Sequence, residues 1–303
     1  MGLAYGIQRP IVLFIYHKLI DRSDRDANPV AMLDARDLHN PWIELTFEKC
    51  GNMKIYHWFF LQLMRGVFNL TCRIDSSQLA RLPEKGPAVM IINHVNFLEA
   101  PVMYTLIQDR QLVVMVKIET WQSFTLRALF EPSKMLPVRR GEPDRTALRL
   151  AQQSVEAGNI LVVSPEGTRD NGHLKTGHPG VALIALRTQA PIWPVVFYGG
   201  ESYWKNLPRL KRTDFRIAVG NPFYLDTKGE SLSRQVAQEM TDEMMYQLAA
   251  LLPSSYRGLY SDFNKARQTY LRFDAGVTSN LDRALGTDSK SEQGFQGNLS
   301  PQL

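Results

Sequence analysis

The sequence predicts an α/β domain with a mixed, largely parallel central sheet and helices packed on it, preceded by an apolar N-terminal helix. Three observations carry this expectation: short apolar runs, helical patterns between them, and Gly/Pro punctuation at the joins. The runs Ala88 to Ile92, Leu112 to Val116, Ile160 to Val163 and Ile192 to Phe197 lack polar/apolar alternation, as expected of strands covered on both faces.

Taken in order, residues 1–51 show weak periodicity and many turn-formers, and are set apart as an N-terminal extension. From Ile55 to Met64 no residue is charged, and Tyr56, Trp58, Phe59 and Phe60 crowd one short stretch. It is shorter than the roughly 20 residues of a spanning helix. It reads either as a helix packed in the core or as one lying in a membrane interface with its aromatics at headgroup depth. Leu82-Pro83-Glu84-Lys85-Gly86-Pro87 then punctuates the chain before the first interior strand.

Helical patterns cover Leu98 to Asp109, Thr120 to Phe130, and Asp144 to Ala157, the last with Asp144 as N-cap and Gly158 as its stop. Phe215 to Val219 adds a strand and Ser231 to Leu252 a long helix. The main domain is expected over 52–253. Residues 254–303 read as a C-terminal tail, disordered after about 272 because isolated apolar residues in a polar, Gly/Ser/Asn/Gln-rich stretch do not offset the entropy of ordering.

Composition narrows the function classes. With 303 residues, 44% apolar and 21% charged, the chain is an ordinary globular protein. The net charge of +5 gathers in short clusters such as Arg139-Arg140 and Arg209-Leu210-Lys211-Arg212. No base-stacking aromatics interleave with them, so a phosphate-bearing small molecule or an anionic lipid surface fits better than nucleic acid. Arg209 to Arg212 alone reads as solvated surface charge.

Cys50 and Cys72 stand in no metal-ligand spacing, and no metal or cofactor is expected. The apolar run Pro10 to Tyr16, closed off by Arg9 and Lys18, is too short to span a membrane and has no cleavage site. The expected location is therefore cytoplasmic, with peripheral membrane association.

The chemistry concentrates in two segments. Asn93-His94-Val95-Asn96-Phe97-Leu98-Glu99 offers a general base and a carboxylate to orient it; Pro165-Glu166-Gly167-Thr168-Arg169 offers a glycine loop with a guanidinium for an anion. On one continuous helix His94 and Glu99 would face different ways, so the chain must turn between them. Pro101, tolerated in a first helical turn, places Glu99 at or near a helix start. There is no Gly-x-Ser-x-Gly elbow, which leaves a serine acyl-enzyme without support.

Four segments in series resemble the glycerolipid acyltransferase family, best known for its 1-acyl-glycerol-3-phosphate acyltransferases. They are Asn93 to Glu99, Leu136-Pro137-Val138-Arg139-Arg140-Gly141, Pro165 to Arg169, and Pro191-Ile192-Trp193-Pro194-Val195. The family's first block usually ends in aspartate, where this chain has Glu99. The resemblance implies a glycerol-3-phosphate acyltransferase-like fold and transfer of a fatty acyl group from acyl-CoA or acyl-carrier protein to a lysophospholipid, most simply 1-acyl-glycerol-3-phosphate. It implies His94 and Glu99 as the catalytic pair, and Arg139, Arg140, Glu166, Gly167, Thr168 and Arg169 around the phosphate and glycerol. Pro191 falls to acyl-donor binding or to structure. Another lysolipid acceptor, or an inactive lipid-binding relative, are the alternatives.

Overall fold

A computed structural model describes residues 55–94, 98–107, 112–117, 134–138, 144–168 and 172–286. The N-terminal extension and the expected helix from Thr120 to Phe130 lie outside the described residues.

The described residues open with helix α1 (Ile55–Thr71), which leads into strand β1 (Cys72–Asp75). Strand β2 (Ala88–Ile92) delivers the first motif and helix α2 (Glu99–Leu106) follows it. Next come β3 (Leu112–Lys117), β4 (Lys134–Val138), α3 (Arg145–Glu156), β5 (Ile160–Val163) and α4 (Gly180–Thr188). After β6 (Ile192–Tyr198) stand a short helix α5 (Tyr203–Asn206), β7 (Thr213–Val219) and β8 (Tyr224–Leu225). Helix α6 (Arg234–Ala249) and β9 (Leu271–Arg272) complete the named elements.

Seven strands form one sheet in the order β1-β7-β6-β2-β5-β3-β4. Every neighbouring pair is parallel except β6 with β7. The mixed, largely parallel sheet is thus as expected, and a separate two-stranded ribbon, β8 with β9, was not foreseen.

Strand β2 is buried along its whole length because both of its faces are covered. Val89 and Ile91 join a cluster with residues of α3, α4 and α6, while Ala88, Met90 and Ile92 join one with Phe68 of α1 and Val102 and Met103 of α2. Strand β7 lies towards the other edge and alternates, with Phe215, Ile217 and Val219 inward and Asp214 and Arg216 exposed.

Edge position also explains β4, which carries Pro137 of the second motif and was not read as a strand. Proline has no N–H to donate to a ladder, so sheets hold it at an edge, and among the described residues β4 pairs only with β3. Helix α3 forms as expected: Asp144 caps it, accepting from the Ala147 N–H at 2.9 Å.

The C-terminal region departs from the expectation. Residues 254–286 are packed onto the domain, past the boundary expected at 253 and past the onset of disorder expected near 272. Tyr260, Tyr270, Leu271 and Leu281 are buried. Glu243 of α6, itself buried, accepts from the Thr269 and Tyr270 N–H groups at 2.8 and 2.9 Å. Gln247 holds Ser279 and Asn280 in the same way, accepting from the Asn280 N–H at 3.0 Å. Polar side chains on α6 thus order a segment too poor in apolar residues to fold alone. Residues 287–303 lie outside the described residues.

Burial pushes the Glu243 carboxyl above its ordinary value, and the backbone N–H bonds only partly offset it. The bonds nevertheless tie two strands of chain together. Glu243→Ala, which strands two buried N–H groups, should cost about 2–4 kcal/mol of stability in urea unfolding at neutral pH. A loss below 0.5 kcal/mol, order-of-magnitude noise for a surface change, would mean that the tail docks by other contacts.

Candidate active site

Parallel pairing puts the carboxyl ends of β2, β5, β3 and β4 on one edge of the sheet, where open α/β folds gather ligands. Asn93-His94 leaves β2 there, and Ser164-Pro165-Glu166 leaves β5 directly beside it. The chain leaves β4 at Val138 on the same edge; Arg139 and Arg140, which follow, lie outside the described residues, as does Arg169.

Three hydrogen-bonded ties locate His94. The Asn93 side chain bonds both polar groups of Phe197, donating from Nδ2 to the carbonyl at 2.9 Å and accepting from the N–H at 2.8 Å. A planar amide carries one donor and one acceptor, which matches a strand residue's backbone and extends the β2 to β6 pairing by side chain. The His94 N–H donates to Glu166 Oε2 at 2.8 Å. Its ring Nδ1 lies 3.1 Å from Glu99 Oε2.

Glu99 is the first residue of α2 and Pro101 the third, as the turn between His94 and Glu99 required. A carboxylate is favoured at that position by the helix dipole, which helps to offset its nearly complete burial. The His94 side chain keeps 17% of its surface open against 2% for Glu99, so the histidine is the more accessible partner of the pair.

Glu166, expected beside the acceptor's glycerol phosphate, holds two backbone segments together. It is buried, and each of its oxygens accepts a backbone N–H: Oε2 from His94 and Oε1 from Lys175 at 3.0 Å. It clamps the histidine-bearing turn to the segment that follows the glycine loop. Nothing in a Glu-Gly-Thr-Arg string distinguishes such a strut from a ligand contact. Only its burial does.

Gly167 has φ +65°, and a Cβ there would sit 3.1 Å from Cδ2 of the His178 ring. The loop therefore takes glycine both for its left-handed backbone and for that close ring. Thr168 is exposed. The stretch between His173 and His178 is anchored: Leu174 is buried, its N–H donates to the Tyr256 carbonyl at 3.0 Å, and Gly177 lies against Thr241 and Met245. The Pro191 carbonyl accepts from the Val89 N–H at 2.9 Å, which places this proline in the β2 to β6 junction.

Residues 73–198, from β1 to the end of β6, match the family model described as Acyltransferase. Over that span, under half of the chain, the protein is similar to acyltransferases, and all four motif segments fall inside it. A Caenorhabditis elegans protein whose name assigns it to the 1-acyl-sn-glycerol-3-phosphate acyltransferases is 27% identical over 182 residues. That match takes in 59% of this chain and 63%, less than two thirds, of the relative. Among solved structures, the 1-acyl-sn-glycerophosphate acyltransferase of Thermotoga maritima aligns with a TM-score of 0.45 at 17% identity, over 82% of this chain and 94% of that one.

Among the described residues no group of His, Cys, Asp and Glu side chains is arranged to hold a metal ion. Cys72, the cysteine among them, is a buried free thiol whose pKa burial raises, so it is poorly suited to act as a nucleophile.

The Glu166 clamp is open to test. Glu166→Gln puts an amide donor against one of two backbone N–H groups and should loosen His94. We expect kcat to fall about 10²-fold, as for a misplaced catalytic group, with the acceptor KM changed little. A rise in acceptor KM at constant kcat in steady-state assays would instead make Glu166 a substrate contact.

Proposed function

We propose that the enzyme transfers a fatty acyl group from an acyl thioester, acyl-CoA or acyl-carrier protein, to the free hydroxyl of 1-acyl-glycerol-3-phosphate, giving phosphatidic acid. The observation that carries the reading is the His94–Glu99 pair, a partly open histidine with a buried carboxylate at 3.1 Å. The name of the Caenorhabditis elegans relative supports the choice of acceptor.

In this mechanism Glu99 accepts the Nδ1–H bond, which sets the tautomer and leaves Nε2 as the base. The acceptor hydroxyl attacks the thioester carbonyl carbon as Nε2 takes its proton. Glu99 stabilises the imidazolium so formed. The tetrahedral intermediate then breaks its C–S bond, and the departing sulfur takes the proton from Nε2 to leave as a thiol. No covalent acyl-enzyme is needed.

Arg140 and Arg169, with Arg139 beside them, hold the acceptor phosphate on this reading, because a guanidinium fork matches phosphate oxygens and keeps its charge at any working pH. The acceptor is a lipid, so the enzyme works at a membrane surface. No described helix is long and apolar enough to cross one. The exposed face of α1 is the contact we assign, with Phe59, Leu63, Val67 and Leu70 turned outward and Leu61 and Phe68 turned to the core.

The panel that tests the reading is thioester turnover against a set of lysolipids. His94→Ala should lose about 10²–10⁴-fold in rate with the fold retained, and a folded variant with near-wild-type turnover would end the mechanism. Glu99→Gln should remove most of the activity. Glu99→Asp should also be impaired, because this site is shaped to the longer side chain; a large gain of activity in Glu99→Asp would instead identify the natural chain as a lipid-binding relative.

Arg140→Ala and Arg169→Ala should raise the acceptor KM more than the thioester KM. Equal effects on both substrates would remove the phosphate assignment.

A further inference from the structure

We propose that the turn spanning α5 to the start of β7, residues 203–212, is a second membrane-inserting element that docks the enzyme on anionic phospholipid beside α1. The inference rests on the reading that the enzyme works at a lipid surface. It adds a segment that the sequence alone presents as ordinary surface charge.

Leu210 is the most exposed large hydrophobic residue among those described, at 94%, and Trp204 is 64% exposed. Leu210 also has φ +52°, a left-handed conformation disfavoured for a branched side chain. A leucine in that conformation, displayed almost wholly to solvent, contributes little packing within its own chain to offset the strain.

The display is braced. The Lys211 N–H donates to the Asn206 carbonyl at 3.1 Å, the Leu210 N–H to the Leu207 carbonyl at 3.1 Å, and Asn206 Nδ2 to Thr213 Oγ1 at 3.0 Å. Trp204 stacks edge-on against the buried Tyr203, with ring centroids 5.2 Å apart.

The turn is also fastened to α1. Arg212 donates to the Asn69 carbonyl at 2.7 Å and to the Cys72 carbonyl, and the Tyr203 hydroxyl lies 3.4 Å from Thr71 Oγ1. Leu70, the last apolar residue of the α1 stripe and 76% exposed, lies between those tie points in sequence. Six of the nine exposed large hydrophobic residues among those described therefore belong to α1 and this turn.

Charge selects the occupant. From Ser202 to Thr213 the chain has Lys205, Arg209, Lys211 and Arg212 and no acidic residue. Lys205, Arg209 and Lys211 are exposed around Trp204 and Leu210. Apolar tips with an aromatic at their edge and basic side chains around them match the acyl and headgroup layers of an anionic bilayer.

The experiment measures binding of the full chain to vesicles of phosphatidylcholine with and without about one third phosphatidylglycerol. Leu210→Glu should weaken binding to the anionic vesicles about tenfold. Lys205→Ala and Lys211→Ala should each weaken it about fivefold there and little on neutral vesicles. Turnover on a short-chain, monodisperse acceptor should stay at the wild-type level in all three.

In the unaltered protein, brominated acyl chains should quench an emission component that disappears in Trp204→Phe. Absence of that component, or a folded Leu210→Glu that binds anionic vesicles like wild type, overturns the proposal. So does a Leu210→Glu variant that changes oligomeric state by light scattering but not vesicle affinity, which would make the turn a self-association surface. Loss of turnover by wild type on every acceptor, with vesicle binding still sensitive to Leu210, would instead fail the acyltransferase reading and leave the docking surface standing.

Discussion

Parallel pairing of β2 with β5 is the constraint on which the candidate site depends. Their register, Ala88 opposite Ile160 and Ile91 opposite Val163, makes the two strands end within a residue of each other on the same edge. Two motifs about seventy residues apart in the chain are thereby brought to hydrogen-bond distance, with the His94 N–H on Glu166. The pairing itself rests on burial: both strands are covered by helices on both faces, and a slip of one residue would exchange the side chains of the two apolar clusters.

Buried carboxylates recur as fasteners in this protein. Glu166 and Glu243 each accept two backbone N–H groups, Glu166 from His94 and Lys175 and Glu243 from Thr269 and Tyr270, and Glu99 faces an imidazole. A carboxylate has acceptor sites for several donors and no proton of its own to place when ionised, so it suits points where two N–H groups converge outside a ladder. Burial works against the charge, as the raised pKa of Glu243 shows. What separates the three is access. The His94 side chain keeps part of its surface open, whereas Glu166 and Glu243 are buried against the backbone segments they hold.

The same separation of rigid frame and open surface recurs around helix α1. Helix α1 divides its apolar residues between a core face and an exposed stripe, and Arg212 ties its C-terminal end to the turn carrying Leu210. Both exposed elements adjoin the β1–β7 side of the sheet, whereas the motif strands lie further across it. On the proposed reading, docking and chemistry fall to different parts of one sheet.

Much of the frame was legible from local pattern. Strands β2 and β5 and helix α3 fall where apolar runs and a capping aspartate put them, because an apolar run between turn-formers or an aspartate before an amphipathic stretch has few other solutions. The His94–Glu99 pair was expected from the motif resemblance, and Pro101 with the helix period said only that the chain must turn for the two to meet. Strand β4 and the order of the tail were not legible, since edge position and side-chain docking are relations between distant segments: Pro137 needs a missing neighbour, and residues 269–280 need Glu243 and Gln247. Glu166 is the sharpest case. Its identity was plain in the string, but whether a carboxylate grips a ligand or a backbone depends on what folding brings within 3 Å of it, and long-range contact is information that a linear pattern does not carry.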